Sequence, residues 1–234
     1  MTVRRLRTLA LACLALALSA AQAQYTNSMT GQRFGNMWSA NADYMTSRMI
    51  QQNQMRSLQQ SVQAQVRGQP APPAARAAAF RLPLTMTDFK PAGPRNAPEQ
   101  LAAGAANAKD RQQLIDAGRG IHRSIEVVPG FRKNNLASAM TVILGVSLQV
   151  AYGIEVDDAR SQAIMRQLND SLGEMPEYKA LTAQQRTQMY DAFIVIGGFI
   201  AGIARQGAES GNAELADQAR AMALDSLARF GIKA

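Results

Sequence analysis

Cysteine, histidine and tryptophan each occur once in the 234 residues, and aromatic residues make up only 6% of the chain. Each shortage removes a class of chemistry. The one cysteine, Cys13, lies in an N-terminal apolar run expected to be cut away. What remains has no thiol for a disulfide, a thiolate metal site or a cysteine nucleophile. A lone histidine, His122, is too few for a centre built from several imidazoles. No G-x-S-x-G elbow and no glycine-rich phosphate loop of known pattern appears, and strand-like alternation is missing. No cofactor and no metal site is expected from this inventory.

What is present begins with an address. Residues 1–23 have the three parts of a secretory signal peptide: Arg4, Arg5 and Arg7, then an apolar stretch from Leu9 to Leu18, then Ala21-Gln22-Ala23. Cleavage is predicted after Ala23, which places the mature chain in the periplasm or the medium. The net charge of +8 is unevenly placed. Residues 24–95 hold eight lysines and arginines against two acids, whereas residues 96–234 hold fourteen against fifteen. The basic character therefore belongs to the N-terminal part. It suits an anionic envelope surface; export argues against nucleic acid.

Four segments follow from composition: the signal peptide, a basic Gln- and Met-rich helical arm over 24–67, a Pro/Ala-rich linker over 68–97, and a helical domain over 98–234. Within the arm, Trp38, Ala42, Met45 and Met49 make one thin apolar face, and Leu58, Val62 and Val66 another. Such a seam over 36–67 needs a partner, either another protein or a second copy. Met37, Met45, Met49 and Met55 have thioethers that suit Cu(I), but at helical spacing and without histidine they read as packing material. Leu82, Leu84, Phe80 and Phe89 are possible anchors of the linker onto the body.

The domain is organised around Asn134–Gly153, an apolar helix with an asparagine N-cap and a glycine stop. It falls short of a membrane span, and no transmembrane helix is expected in the mature chain. Ser138, Thr141, Gly145, Gln149 and Tyr152 form a small or polar stripe along it. That stripe is either a close helix contact, with hydroxyls bonded back to carbonyls, or the wall of a small-ligand pocket. Thr182-Ala183-Gln184-Gln185 is a capping box that opens a second apolar helix. Gly197, Gly198 and Gly202 inside it call for close backbone approach, and Gly198 and Gly202 are expected to face Gly145.

The catalytic candidates are few. His122 precedes Glu126 by one helical turn, a pair able to tune an acid or a base. Asp191, beside Tyr190 in an apolar helix, must be paired if buried, with Asn135, Tyr152 or an arginine as candidate partners. The acids Glu155, Asp157 and Asp158 sit where a helix begins and complement its dipole.

Asp88-Phe89-Lys90-Pro91, Pro98-Glu99-Gln100-Leu101, Asn134-Asn135-Leu136-Ala137 and Gln188-Met189-Tyr190-Asp191 carry a resemblance. Over about residues 85–232 the chain resembles an exported bacterial family known as a domain of unknown function, with the N-terminal arm outside the likeness. Asn135 and Asp191 stand where that resemblance implies an acid and a glutamate. The expectation is an all-α protein: a compact multi-helix bundle preceded by a helical arm and a linker. Its role reads as non-catalytic interaction or assembly in the envelope or secreted fraction. The alternative is a small-ligand binder or hydrolase using the polar stripe in the helical core.

Overall fold

The computed structural model describes residues 81–105 and 107–232, together with Ala42, Thr46, Ser47, Gln59, Gln60, Gln63 and Ala64. The expected signal peptide, the arm's methionines, Trp38, Leu58, Val62 and Val66, and linker residues 68–80 lie outside the described residues.

Local chemistry sets most boundaries. Among the described residues a 3-10 turn, Leu84–Thr87, precedes α1 (Ala97–Ala102), α2 (Ala108–Glu126), α3 (Leu136–Tyr152), α4 (Asp158–Glu174), α5 (Pro176–Ala180), α6 (Ala183–Ser210) and α7 (Ala213–Arg229). No strand occurs among the described residues, so the fold is all-α. Side chains of Asn107, Asn135, Asp157 and Asn212 cap α2, α3, α4 and α7 by accepting from first-turn N–H groups. At α6 the Thr182 hydroxyl accepts from the Gln185 N–H at 3.2 Å and the Gln185 side chain accepts from the Thr182 N–H at 2.8 Å, the reciprocal pair of a capping box. Gly153 takes a left-handed φ of 67° to end α3, a conformation glycine adopts without steric cost. Gly173 does not stop α4 as a glycine there suggests. The helix continues to Glu174, and Gly173 instead makes room for Leu82 and Met86.

Helices α3, α6 and α7 pack on one another to form the centre; the α1–α2 pair lies against α6, and α4 against α3. The residues from Met189 to Ile200 are buried without a break, which is why that stretch is apolar all round. Tyr190, Phe193, Leu136, Met140, Ile143, Leu144, Leu148 and Phe230 are wholly enclosed. Each such side chain contributes about 1.5–3 kcal/mol of apolar burial. α6 is long and apolar enough to cross a bilayer, but 83% of its most apolar window is buried inside the fold. α3 is less central than its sequence implies. It turns Val142, Val146 and Val150 half outward and exposes Gln149.

Gly202 is buried in α6, but Gly198 does not face Gly145 as expected. A side chain at Gly198 would overlap Ile121 of α2. Its neighbour Gly197 is the one that meets α3, with its Cβ position 3.2 Å from the Ile143 Cα. Gly145 faces Val156 at an ordinary 3.8 Å. Successive helix positions point about 100° apart, so the two adjacent glycines admit two different helices. The register of α2 and α3 against α6 cannot be read from either sequence alone.

Of the described arm residues, Ala42 and Gln59 lie against this body. Ala42 and Thr46 are buried, Ala42 within the main core, and the Gln59 amide donates to the Phe230 carbonyl at 3.1 Å.

Candidate functional site

Polar groups concentrate where residues 81–97 pass the N-terminal ends of α3 and α6. Asp191 is the deepest, with 0% of its surface exposed. Burying a carboxylate without partners is prohibitive. Its Oδ2 accepts from the Ala97 N–H at 2.6 Å. Ala97 is the first residue of α1, and Asn96 gives that helix no side-chain cap, so Asp191 serves as the cap from another helix. Its Oδ1 is hydrogen-bonded to His122 Nε2, the imidazole nitrogen donating. The other ring nitrogen, Nδ1, is buried with no partner among the described residues. One carboxylate thus holds α1, α2 and α6 together.

Tyr190, next to Asp191, is enclosed by rings. Phe89 meets it edge-on at 5.5 Å, and Phe131 and His122 lie at 6.3 Å each. The Arg95 guanidinium sits over its face, 5.4 Å from the centroid, where the ring quadrupole attracts a cation. Its hydroxyl donates to Glu126 Oε1 at 3.2 Å. Burial pushes this phenol well above its ordinary pKa, reinforced by the Glu126 charge, so it stays a proton donor. Glu126 also receives Arg95 Nη1 and Lys133 Nζ, both at 2.8 Å. Burial alone would raise its carboxyl, but hydrogen bonds from Lys133 and Arg95 hold it below the ordinary range.

A second cluster adjoins the first. Arg132 grips Asp88 with two nitrogens, Nε reaching Oδ1 at 2.6 Å and Nη2 reaching Oδ2, the bidentate geometry that suits a guanidinium to a carboxylate. Asn135 donates to Asp88 Oδ1 at 2.8 Å and to the Leu84 carbonyl at 2.9 Å, while its own oxygen caps α3. Burial works against the Asp88 charge, yet the Arg132 and Asn135 hydrogen bonds leave its pKa lowered. Asn134 adopts a left-handed φ of 53°, a conformation asparagine tolerates. Its carbonyl accepts from the Phe89 N–H at 2.9 Å, part of an isolated antiparallel bridge between Asp88 and Asn135.

The sequence candidates separate on this frame. His122, Tyr190 and Asp191 come together. His122 does not pair with Glu126, because tertiary neighbours across α6 and the loop after α2 claim both side chains. Asp191 does not meet Asn135, Tyr152 or an arginine for the same reason. Ser138 joins the second cluster by accepting from the Arg132 N–H at 3.0 Å. Thr141 bonds back to the Ala137 carbonyl at 2.8 Å, as hydroxyls inside helices often do. Gly145 packs on Val156, Gln149 is exposed and Tyr152 is half-buried. Tyr152 lies about 25 Å along α3 from Asn135 at roughly 1.5 Å per residue, so the stripe does not converge on Asp191. Arg95, Arg132 and Asp88 were not singled out by the sequence as site residues. Asp88 belongs to a motif already noted, and its ionic partner lies 44 positions away.

The arrangement is a set of fasteners. Both oxygens of Asp191, both of Glu126 and both of Asp88 are engaged in joining one segment to another. No group of three or more His, Cys, Asp and Glu able to hold a metal ion occurs among the described residues.

A family of unknown function, DUF6683, matches residues 3–234. The match extends past the 85–232 likeness and takes in the arm and linker. No curated protein matches the chain, and no solved structure does.

Proposed function

The chain belongs to DUF6683, and we propose that it is an exported, non-catalytic interaction or assembly protein of the cell envelope or secreted fraction. The observation that carries this reading is the use made of its polar groups. Acid–base catalysis needs a group with a free lone pair or proton within reach of a substrate. The carboxylates at this site are committed to structural partners, and the deepest of them, Asp191, is sealed in the core. A hydrolytic or ligand-binding role would need one of them released.

The signal sequence supports export, and the basic arm supports contact with a protein partner, a second copy or an anionic envelope surface. Residues 36–67 are the segment through which that contact runs. Nucleic acid is not the partner of an exported chain. In this reading α6 serves as the core helix and crosses no membrane.

The test compares absolute molar mass by light scattering for the chain from Gln24 and for one beginning at Phe80, alongside cell fractionation of the native protein. Self-association or partner capture confined to the longer chain, with the protein outside the cytoplasm, supports the reading. A cytoplasmic protein, monomeric at both lengths and binding no envelope component, overturns it.

A further inference from the structure

We infer that residues 81–102 form an exchangeable module, and that the groove it fills in its own chain is the docking site for the same module of a second copy. The inference rests on the assembly reading above and names the surface through which copies join.

Residues 81–97 are held as a bound peptide is held. Asp170, itself buried, accepts from two successive backbone N–H groups, those of Arg81 at 2.9 Å and Leu82 at 3.1 Å. Asn169 donates to the Pro83 carbonyl at 3.1 Å and accepts from the Thr87 hydroxyl at 3.0 Å. Asn135 takes the Leu84 carbonyl, the Thr187 hydroxyl accepts from the Ala92 N–H at 2.9 Å, and Asp191 takes the Ala97 N–H. The tethers reach across 51 to 95 positions of sequence. Body side chains, rather than a neighbouring strand, take six backbone groups of this segment.

The groove also fits these particular side chains. Gly173 leaves a recess that Leu82 and Met86 enter, Phe89 lies edge-on against Tyr190, and Arg132 matches the Asp88 carboxylate with two nitrogens. The peptide that fits best is therefore another copy of the same segment. Every such contact is available between chains as within one, so exchange loses no interaction. The module follows the Pro/Ala-rich sequence 68–80, whose composition is that of an extended spacer, and ends at the short connection Ala103-Gly104-Ala105 before α2.

The absence of other cysteines makes a direct test possible in the full chain carrying Cys13→Ser. A Cβ at Gly173 would lie 3.6 Å from the Met86 Cβ, within the roughly 3.5–4.5 Å that a disulfide spans. The double variant Met86→Cys/Gly173→Cys is oxidised alone. The two single variants are unfolded together, refolded as a mixture and oxidised, and the unmodified chain is weighed by light scattering. Exchange predicts internal closure in the double variant, and in the mixture a reducible dimer of one chain of each kind, at twice the chain mass, that neither single variant forms alone. Internal closure with no mixed dimer overturns exchange. Failure of the double variant to close overturns the seated groove itself. A self-associating unmodified chain without the mixed disulfide leaves the assembly reading standing through the arm. A monomeric chain without it removes self-assembly through either element and confines the interaction reading to a different partner.

Discussion

Replacing Asp191 by alanine removes the fastener on which three helices converge. It leaves two donors stranded in the core, the Ala97 N–H and the His122 ring N–H. A buried donor left without its acceptor costs about 1–3 kcal/mol, so the variant should lose about 2–6 kcal/mol. A domain of this size has roughly 5–15 kcal/mol in total, which makes the loss visible or fatal. In urea, with a slope of about 1–3 kcal/mol per molar, the midpoint should fall by on the order of 2 M. Asp191→Asn should lose less, about 1–3 kcal/mol. Its oxygen still serves Ala97, but its amide confronts His122 unless the ring proton moves to Nδ1, where no partner waits among the described residues. Asp217, on the exposed side of α7, supplies the control. Asp217→Ala should stay within about 0.5 kcal/mol. The cycle of Asp191→Ala with His122→Ala should show a coupling of about 0.5–3 kcal/mol. An Asp191→Ala variant as stable as the control, or a strictly additive cycle, would refute the reasoning.

Three other outcomes are expected. Gly198 is pressed against Ile121, whereas Gly145 has only ordinary contact with Val156. Gly198→Ala should lose about 1–3 kcal/mol, and Gly145→Ala should be neutral or gain up to about 1 kcal/mol of helix propensity; thermal melts that rank them the other way contradict the packing. Asp88 and Glu126 have pKa values below their ordinary ones. Their contribution is therefore complete above the unfolded values near 4 and is lost as pH falls through the folded ones; unfolding free energy should decline below about pH 5, less steeply in Asp88→Asn. A profile identical in that variant would show that the Arg132 pairing carries none of the effect. Asn135→Asp keeps the cap on Ser138 but can no longer donate to Leu84 or Asp88, and it sets two carboxylates together. The loss by calorimetry should be about 2 kcal/mol or more, and full stability would exclude the bonding described here.

Local features were legible because their physics is local. Asn107, Asn135, Thr182 and Asn212 announce helix starts through groups one turn away, and Gly153 announces a stop through its own dihedral. Partners across helices were not. The spacing rule for a helix surface offers Glu126 to His122, but rotation of α2 against α6 brings Asp191 there from 69 positions away. The three polar residues Asn169-Asp170-Ser171, all buried between Leu168 and Leu172, were the overlooked signal. On a helix with a conventional outer face, one or more should have been exposed. Their burial means that something polar comes to meet them, and residues 81–87, which read as the end of the linker with Leu82 and Leu84 as anchors, are what comes.

The direction of those tethers fixes an order of events. Each group that fastens residues 81–97 is specified later in the chain, the last being Asp191. Made or threaded from the N-terminus, the chain cannot close this segment until more than ninety further residues have emerged. Contacts of that separation are slow to form. Under the export proposed above, that delay would matter: residues 81–97 cannot close before α3, α4 and α6, which supply their partners, are across.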